Sequence, residues 1–380
     1  MTEILAGYCK EDLKGFYDLA ERFAKKELEP KSLELDHYPY SEFNRRALAA
    51  AAEVELFKLA LPESLGGSGQ GMNALSIILS RLAQTDASFA ALVFIQTLAQ
   101  AAIVKWGKKE IAEKYLKPGD GKSPKILGFP VYAPPTDIPL GVKAEKSASG
   151  YLLSGNFSYL ALAPVAEFLI VPAEVQGSGK ASFFIIEKNT SGLKVSEPVL
   201  SLGLRNCPVA DLEFAGVKAG PENLLGQEGR AGDEYPELCA AFGGPWASLS
   251  LGVLVGSYSA AKSFAQDRYQ GGKQIIDHDQ VRLMLANMAV LIEVASAAAI
   301  SASRAIDEGR DPAPGFASGI FVTDAVTRAA TDGVQCLGGY GYIHDYGQEK
   351  RMRDAKQIQA MFGPSPLKRL EFFTKRILGG

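Results

Sequence analysis

The sequence predicts an α+β protein in which helices come first, short strands follow, and helices return. Apolar residues recur at helical spacing up to about residue 118. Short apolar or alternating segments then lie between Gly, Ser, Asn and Pro turns, and the helical period resumes at Glu234. A doubly wound sheet would instead alternate strand and helix. The 380 residues are enough for two or three domains.

These patterns predict three domains. They are an N-terminal all-α domain (1–122), a central small antiparallel β-barrel or sandwich domain (123–232), and a C-terminal four-helix bundle (233–380). The expected helices are 12–26, 43–59, 73–84, 87–106, 109–116, 245–267, 279–306, 315–333 and 366–378. The expected strands are 142–146, 151–154, 168–173, 181–186 and 211–214.

Composition and charge argue against several classes of protein. A net charge of −3 without a long block of like charge argues against a nucleic-acid partner. The dispersed cysteines predict buried, reduced thiols in a reducing cytoplasm, and three scattered histidines give no reason to expect a metal site. The cysteines are Cys9, Cys207, Cys239 and Cys336. We see no signal-peptide pattern, and we expect the interrupted apolar stretches to be too short for a membrane span.

Two sequence blocks near the C-terminus are the most informative part of the chain. Residues 335–342 read QCLGGYGY and residues 351–356 read RMRDAK. Both blocks resemble the C-terminal signature of the acyl-CoA dehydrogenase superfamily. Further blocks resemble the same family in the same order, namely 62–69 (PESLGGSG), 86–88 (DAS), 202–205 (LGLR), 223–226 (NLLG) and the segment from Arg268 to Gln280. The resemblance therefore extends over essentially the whole chain.

The resemblance implies a fold and a chemistry. Family members desaturate an acyl-CoA thioester: a carboxylate removes the α-proton while a hydride passes to FAD, which carries the redox step. They are usually dimers of dimers that associate through the C-terminal bundle, and each FAD is capped by the neighbouring subunit. An electron-transfer flavoprotein is their usual oxidant. We therefore expect an acyl-CoA substrate, FAD and a homo- or hetero-tetramer.

The residues that would serve this chain's own active site depart from the family pattern. Phe362 stands where the family carries its catalytic glutamate, and Trp246 falls at the alternative position of the base. Neither side chain can accept a proton. The flavin-binding motifs are also replaced, because 130–137 reads PVYAPPTD and 159–163 reads YLALA. Prolines remove backbone donors that a cofactor cradle would use.

The residues that reach a neighbour's FAD match the family better. Arg268 corresponds to an arginine that contacts the pyrophosphate, and Gln335, Gly338 and Gly339 correspond to the segment beside the adenosine. Our leading hypothesis is a degenerate subunit, a pseudoenzyme that pairs with an intact relative and completes the relative's FAD site. One alternative is an active dehydrogenase or reductase with a relocated base such as Asp86 or Glu234. Another is a flavin-free structural or binding paralogue.

Overall fold

The computed structural model describes residues 11–37, 43–117, 125–135, 137–177 and 179–377. The first part is helical, as expected. Its helices are α1 (Glu11–Phe23), α2 (Arg45–Glu53), α3 (Met72–Thr85), α4 (Ala87–Trp106) and α5 (Lys109–Leu116). Helix α1 continues as a π-turn over Ala24–Leu28. Helix α4 begins sharply because the Asp86 carboxylate accepts hydrogen bonds from the amides of Ser88 and Phe89.

Helix α2 is shorter than the predicted segment 43–59. It ends at Glu53, and Glu55 adopts a left-handed conformation with φ of 59° before a short 3₁₀ turn at Leu56–Lys58. A left-handed conformation is energetically unfavourable for a residue other than glycine. The sequence around Glu55 contains no glycine or proline, so the end of the helix could not be predicted from it.

The central strands form one eight-stranded sheet in the described residues. The strands are β1 (Leu127–Gly128), β2 (Val142–Ser147), β3 (Gly150–Ala161), β4 (Phe168–Val175), β5 (Ala181–Glu187), β6 (Leu193–Val195), β7 (Val209–Ala219) and β8 (Leu224–Leu225). The order is β6-β7-β3-β2-β4-β5-β8, with β1 beside β4. Most pairs are antiparallel, but β4 runs parallel to β1 and β2.

Long helices pack together in the last part of the chain. They are α6 (Ala231–Ala241), α7 (Gly243–Asp267), α8 (Asp279–Asp307), α9 (Ala313–Leu337), α10 (Gln348–Gln359) and α11 (Ser365–Ile377). Helix α9 packs against α7, α8, α10 and α11, and α3 also lies along α7. Glycine allows the close approach of α7 and α9, since a side chain at Gly243 would collide with the backbone of Gly315.

Among the described residues, two helices are long and apolar enough to cross a membrane, or three segments if the bent pair α6 and α7 is taken as one span, judged by length and composition alone. The expectation that every apolar stretch falls short of a span is therefore wrong for α4 and α8. In the most apolar 18-residue stretch of α4, 89% is buried within the protein, whereas 33% of the corresponding stretch of α8 is buried. Helix α8 thus presents a largely uncovered apolar face, which includes Leu283, Val290 and Val294.

The cysteines that the structure describes agree with the expectation of reduced, buried thiols. Cys207, Cys239 and Cys336 are buried, and Cys9 lies outside the described residues. Burial raises the pKa of the Cys336 thiol to about 11. Such thiols behave as apolar packing groups rather than nucleophiles.

Candidate functional site

Phe362 and Trp246, the two positions at which the resemblance predicts a base, meet in the core. The ring centroids of Phe362 and Trp246 are 5.2 Å apart and the ring planes are inclined by 78°. Phe94 and Phe316 lie 6.2 and 6.4 Å from Phe362, and Phe242 packs edge-on to Phe94. We call these five buried side chains the aromatic cluster. The cluster fills the interior between α4, α7, α9 and the α10–α11 turn with apolar rings.

Local backbone features hold the cluster in place. Phe362 has φ of 60°, and its amide donates a 2.7 Å hydrogen bond to the Val131 carbonyl, which ties the α10–α11 turn to the segment after β1. The indole Nε1 of Trp246 donates to the Ile358 carbonyl at 3.0 Å. Gly319 faces the indole, and any side chain there would collide with the ring. The rings are therefore fixed by hydrogen bonds and close packing together.

A buried lysine borders the cluster. The Lys368 ammonium lies 4.5 Å from the centroid of a Trp246 ring and donates to the carbonyls of Gln359 and Met361. These carbonyls belong to the C-terminal end of α10, so Lys368 caps that helix and makes a cation–π contact. Desolvation lowers the pKa of Lys368 to about 7.

The segments that would cradle this chain's own flavin touch one another instead. The rings of Tyr132 and Tyr159 are 5.1 Å apart, and Gln357 Nε2 donates to the Tyr159 hydroxyl at 2.9 Å. A Cβ built on Gly363 would lie 2.9 Å from Pro134, so the α10–α11 turn rests directly on the proline-containing loop. These contacts do not fit a flavin ring between the segments.

Backbone donors in the same segments are already used within the protein. The amide of Leu162 donates to the Pro208 carbonyl, and that of Ala133 donates to the Pro130 carbonyl. The amide of Tyr159 donates to the Asp211 carboxylate at 2.8 Å. A cofactor bound here would have to break such bonds, which adds to the misfit of FAD with this chain's own pocket.

Asp86, a candidate for a relocated base, faces an ion cluster rather than the aromatic cluster. Its carboxylate caps α4 and lies 3.7 Å from the Lys350 ammonium. Burial raises the pKa of Asp86. Phe94 follows eight residues later on α4, which places it about 12 Å further along the helix axis. Asp86 thus has a structural role in capping and charge balance.

The ion cluster joins three of the sequence blocks that carry the family resemblance. Lys350 donates to Asp354 at 2.7 Å, and Asp354 accepts the Leu204 amide at 2.7 Å. Arg353 binds Asp36 and also donates to the Leu202 carbonyl at 3.0 Å. Block 202–205 is therefore fastened to α10 by buried, paired charges. The residue pattern had indicated each block but not their contact.

A group of possible metal ligands belongs to the same region. Ligand atoms of Asp36, His344 and Glu349 lie within 4.8 Å of one another. Arg353 already binds both carboxylates. A metal ion would have to displace this guanidinium, so the arrangement is better explained as an ion-pair network.

Glu234, the other candidate base, lies in the first turn of α6. Its Oε2 atom is buried and has no hydrogen-bond partner in the described residues. Burial raises the pKa of its carboxyl. The hydroxyl of the neighbouring Tyr235 does not serve as this partner, since it donates to the carbonyls of Pro130 and Ala133.

The residues expected to reach a neighbour's cofactor share one exposed face. The ends of α7 and α9 pack together through Ala261, Ala265, Cys336 and Leu337. This contact brings Arg268, just after α7, beside the turn that follows α9. The Arg268 guanidinium carbon lies 5.5 Å from the Tyr340 ring centroid.

Space for a ligand surrounds this face. Gln335 is exposed, and Gly338 and Gly339 have nothing within 4 Å of a built Cβ. A cavity of about 450 Å³ lies beside Arg268 and Phe264. The half-buried Arg268 guanidinium, the open glycine backbone and the cavity together suit a phosphate-bearing cofactor approached from outside. We call this the Arg268 face.

The family segment that Arg268–Gln280 resembles carries a phenylalanine where this chain has Gly271, and this departure has a local explanation. Gly271 and Gly272 form the two-residue turn between β9 (Tyr269–Gln270) and β10 (Lys273–Gln274), with φ of 67° and 84°. Such a hairpin needs positive φ at both positions, which glycine adopts without strain. A larger residue in place of Gly271 would also crowd the His278 ring.

Comparisons with known proteins agree with this architecture. Residues 10–119 match the model of the acyl-CoA dehydrogenase N-terminal domain, and residues 246–376 match that of the C-terminal domain. The chain is 29% identical to the cyclohex-1-ene-1-carbonyl-CoA dehydrogenase of Geobacter metallireducens, with 96% of this chain and 97% of the relative covered. It is 28% identical to the caffeyl-CoA reductase–Etf complex subunit CarC of Acetobacterium woodii, with coverage of 96% and 97%.

A solved structure has the same fold as this chain. The structure of butyryl-CoA dehydrogenase from Megasphaera elsdenii superposes with a TM-score of 0.87 at 24% identity, covering 95% of this chain and 97% of that one. The two matched domains span well over half of the sequence. The chain therefore belongs to the acyl-CoA dehydrogenase family, with its α+β fold of helical, sheet and helical parts.

Proposed function

We propose that this chain is a pseudoenzyme subunit of a heteromeric, tetrameric acyl-CoA dehydrogenase. In this assembly an intact partner desaturates the acyl-CoA thioester, and this chain completes the partner's FAD site. The observation that carries the proposal is the contact between Phe362 and Trp246, two aromatic rings at the positions where a carboxylate would abstract the proton.

The Arg268 face supports the second half of the proposal. A guanidinium binds a pyrophosphate with two hydrogen bonds at once, and its stacking on Tyr340 orients it at little entropic cost. The open backbone at Gly338 and Gly339 allows an adenosine to approach closely. When bound at the partner's site, the FAD supplies the redox chemistry.

The relatives indicate the chemical setting. Their names refer to CoA thioesters, and one of them belongs to a complex with Etf. We infer that the assembly acts on an acyl-CoA in the cytoplasm and passes electrons to an electron-transfer flavoprotein.

The test is to purify the chain alone and after co-expression with a dehydrogenase encoded beside it. We expect a colourless lone chain and a yellow, active complex. Arg268→Ala should weaken FAD retention by the complex, whereas Arg310→Ala, at an exposed arginine paired with Glu308, should not. A lone chain that holds stoichiometric FAD and oxidises an acyl-CoA would refute the proposal.

An active enzyme with a relocated base is the second candidate. Glu234 favours it, because its buried carboxylate oxygen has no hydrogen-bond partner in the described residues and its pKa is raised. Glu234→Gln would abolish flavin bleaching by substrate if this carboxylate were the base, and the matched variant Asp86→Asn tests the other carboxylate.

A chain that stays colourless both alone and in the complex would instead indicate the flavin-free paralogue.

A further inference from the structure

A polar cavity of about 540 Å³ lies between the N-terminal helices and the C-terminal bundle. Its walls come from the end of α1 and the residues after it, the end of α3, the middle of α7 and the start of α10. Four cationic side chains line it, namely Lys25, Arg81, Lys350 and Arg351. None of these residues belongs to the Arg268 face or the aromatic cluster.

Three of the four cations have carboxylate partners. The Lys25 ammonium lies 2.8 Å from Glu21, and Arg81 forms a close ion pair with the same carboxylate. The Lys350 ammonium lies 2.7 Å from the Asp354 carboxylate and 3.7 Å from the Asp86 carboxylate. Lys350 is therefore fully paired, whereas Lys25 and Arg81 share the single charge of Glu21, and Lys25 is the more exposed of the two.

Arg351 is different. Its Nη1 donates to the Gly347 carbonyl at 2.9 Å, but the described residues place no carboxylate within 4.0 Å of its guanidinium. The side chain is half-buried, and a Cβ built on Gly256 would lie 3.2 Å from its Nε. Desolvation lowers the pKa of Arg351. A guanidinium carries five N–H donors, and in the described residues one nitrogen, Nη1, donates to a protein acceptor.

We propose that this cavity is a binding site for a small phosphate-bearing anion, anchored by Arg351 with Lys25 at the rim. A phosphate offers several acceptor oxygens that match the fork of the guanidinium, and its charge offsets the desolvation of the arginine. Glu29 lines the same cavity, is exposed, and forms no ion pair in the part of the chain that the structure describes. Its negative charge opposes the bound anion.

The experiment is calorimetric titration of the full chain, or of its complex, with pyrophosphate at constant ionic strength. We expect saturable binding that Arg351→Met weakens about 10- to 100-fold, since hydrogen bonds to charged groups are strong. Glu29→Gln should tighten binding a few-fold. Arg45→Met, at an exposed arginine lining a separate cavity, should have no effect. Parallel titrations with inorganic phosphate and with CoA distinguish a free anion from a phosphate carried by a nucleotide.

Equal affinity in the native protein and in Arg351→Met, or heat that follows ionic strength alone, would overturn the proposal. If Arg351→Met does not fold, Lys25→Met provides the test, because this lysine side chain is 65% exposed and can be changed without disturbing the core. We expect a few-fold loss of pyrophosphate affinity in that variant, and an unchanged affinity would count equally against the site.

Discussion

Removing the Phe362 ring should destabilise the protein strongly, and the choice of replacement should reveal the backbone strain at this residue. The side chain is fully buried among aromatic rings. Phe362→Ala should therefore cost about 3–5 kcal/mol of unfolding free energy. Alanine keeps the left-handed strain at φ of 60°, but glycine does not. Phe362→Gly should thus be about 1 kcal/mol more stable than Phe362→Ala.

Phe94 provides the matched control. It belongs to the same cluster and is equally buried, but it lies within helix α4. There Gly is less favourable than Ala by about 1 kcal/mol, so the order of the two variants should reverse. Denaturant unfolding followed by tryptophan fluorescence measures both pairs, because one of the two tryptophans, Trp246, contacts Phe362 directly. A Phe362→Ala variant that loses less than about 1 kcal/mol would show that the ring is not tightly packed.

Two further predictions concern packing and charge. Gly319→Ala should destabilise by about 1–3 kcal/mol through collision with Trp246, whereas Gly232→Ala, with open space in α6, should stabilise by up to about 1 kcal/mol; thermal unfolding compares them. The hydrogen bond from Arg81 lowers the pKa of Glu21 from 4.5 to about 2. This stabilisation is present above pH 4.5 and is lost as the pH falls towards 2. Glu21→Gln should cost on the order of 1 kcal/mol at neutral pH and flatten that acid dependence, and an unchanged acid limb would contradict the assignment.

The sequence predicted most accurately the helices whose ends carry recognisable capping residues. Helix α4 was predicted to the residue, because Asp86 is a recognisable N-cap and the following residues are apolar. Helix α10 was missed because its polar residues do not produce an apolar stripe. Its buried residues Lys350, Arg353 and Asp354 contact Asp86, Leu202 and Leu204, which lie far away in the chain.

The residue types of the candidate site could be read from the sequence, but the contacts between these residues could not. That Phe362 and Trp246 are not acids is visible in the sequence, whereas their mutual contact depends on how α7 and α9 pack around Gly319. That Arg351 has no carboxylate within 4.0 Å in the described residues could not be read from the sequence, because an arginine beside other charges is usually solvated. Strand β3 was predicted too short, since its pairing with β7 continues to Ala161 across two register shifts.

The dense packing around Phe362 has an evolutionary consequence. An acid introduced at this single position would be buried among aromatic rings beside Lys368, where desolvation favours its neutral form over a charged carboxylate. A carboxylate and a flavin would both find room here only if Trp246 and the tyrosine pair at 132 and 159 changed as well. Because each single change would leave the protein less stable than before, selection for stability opposes the stepwise introduction of a carboxylate at this position.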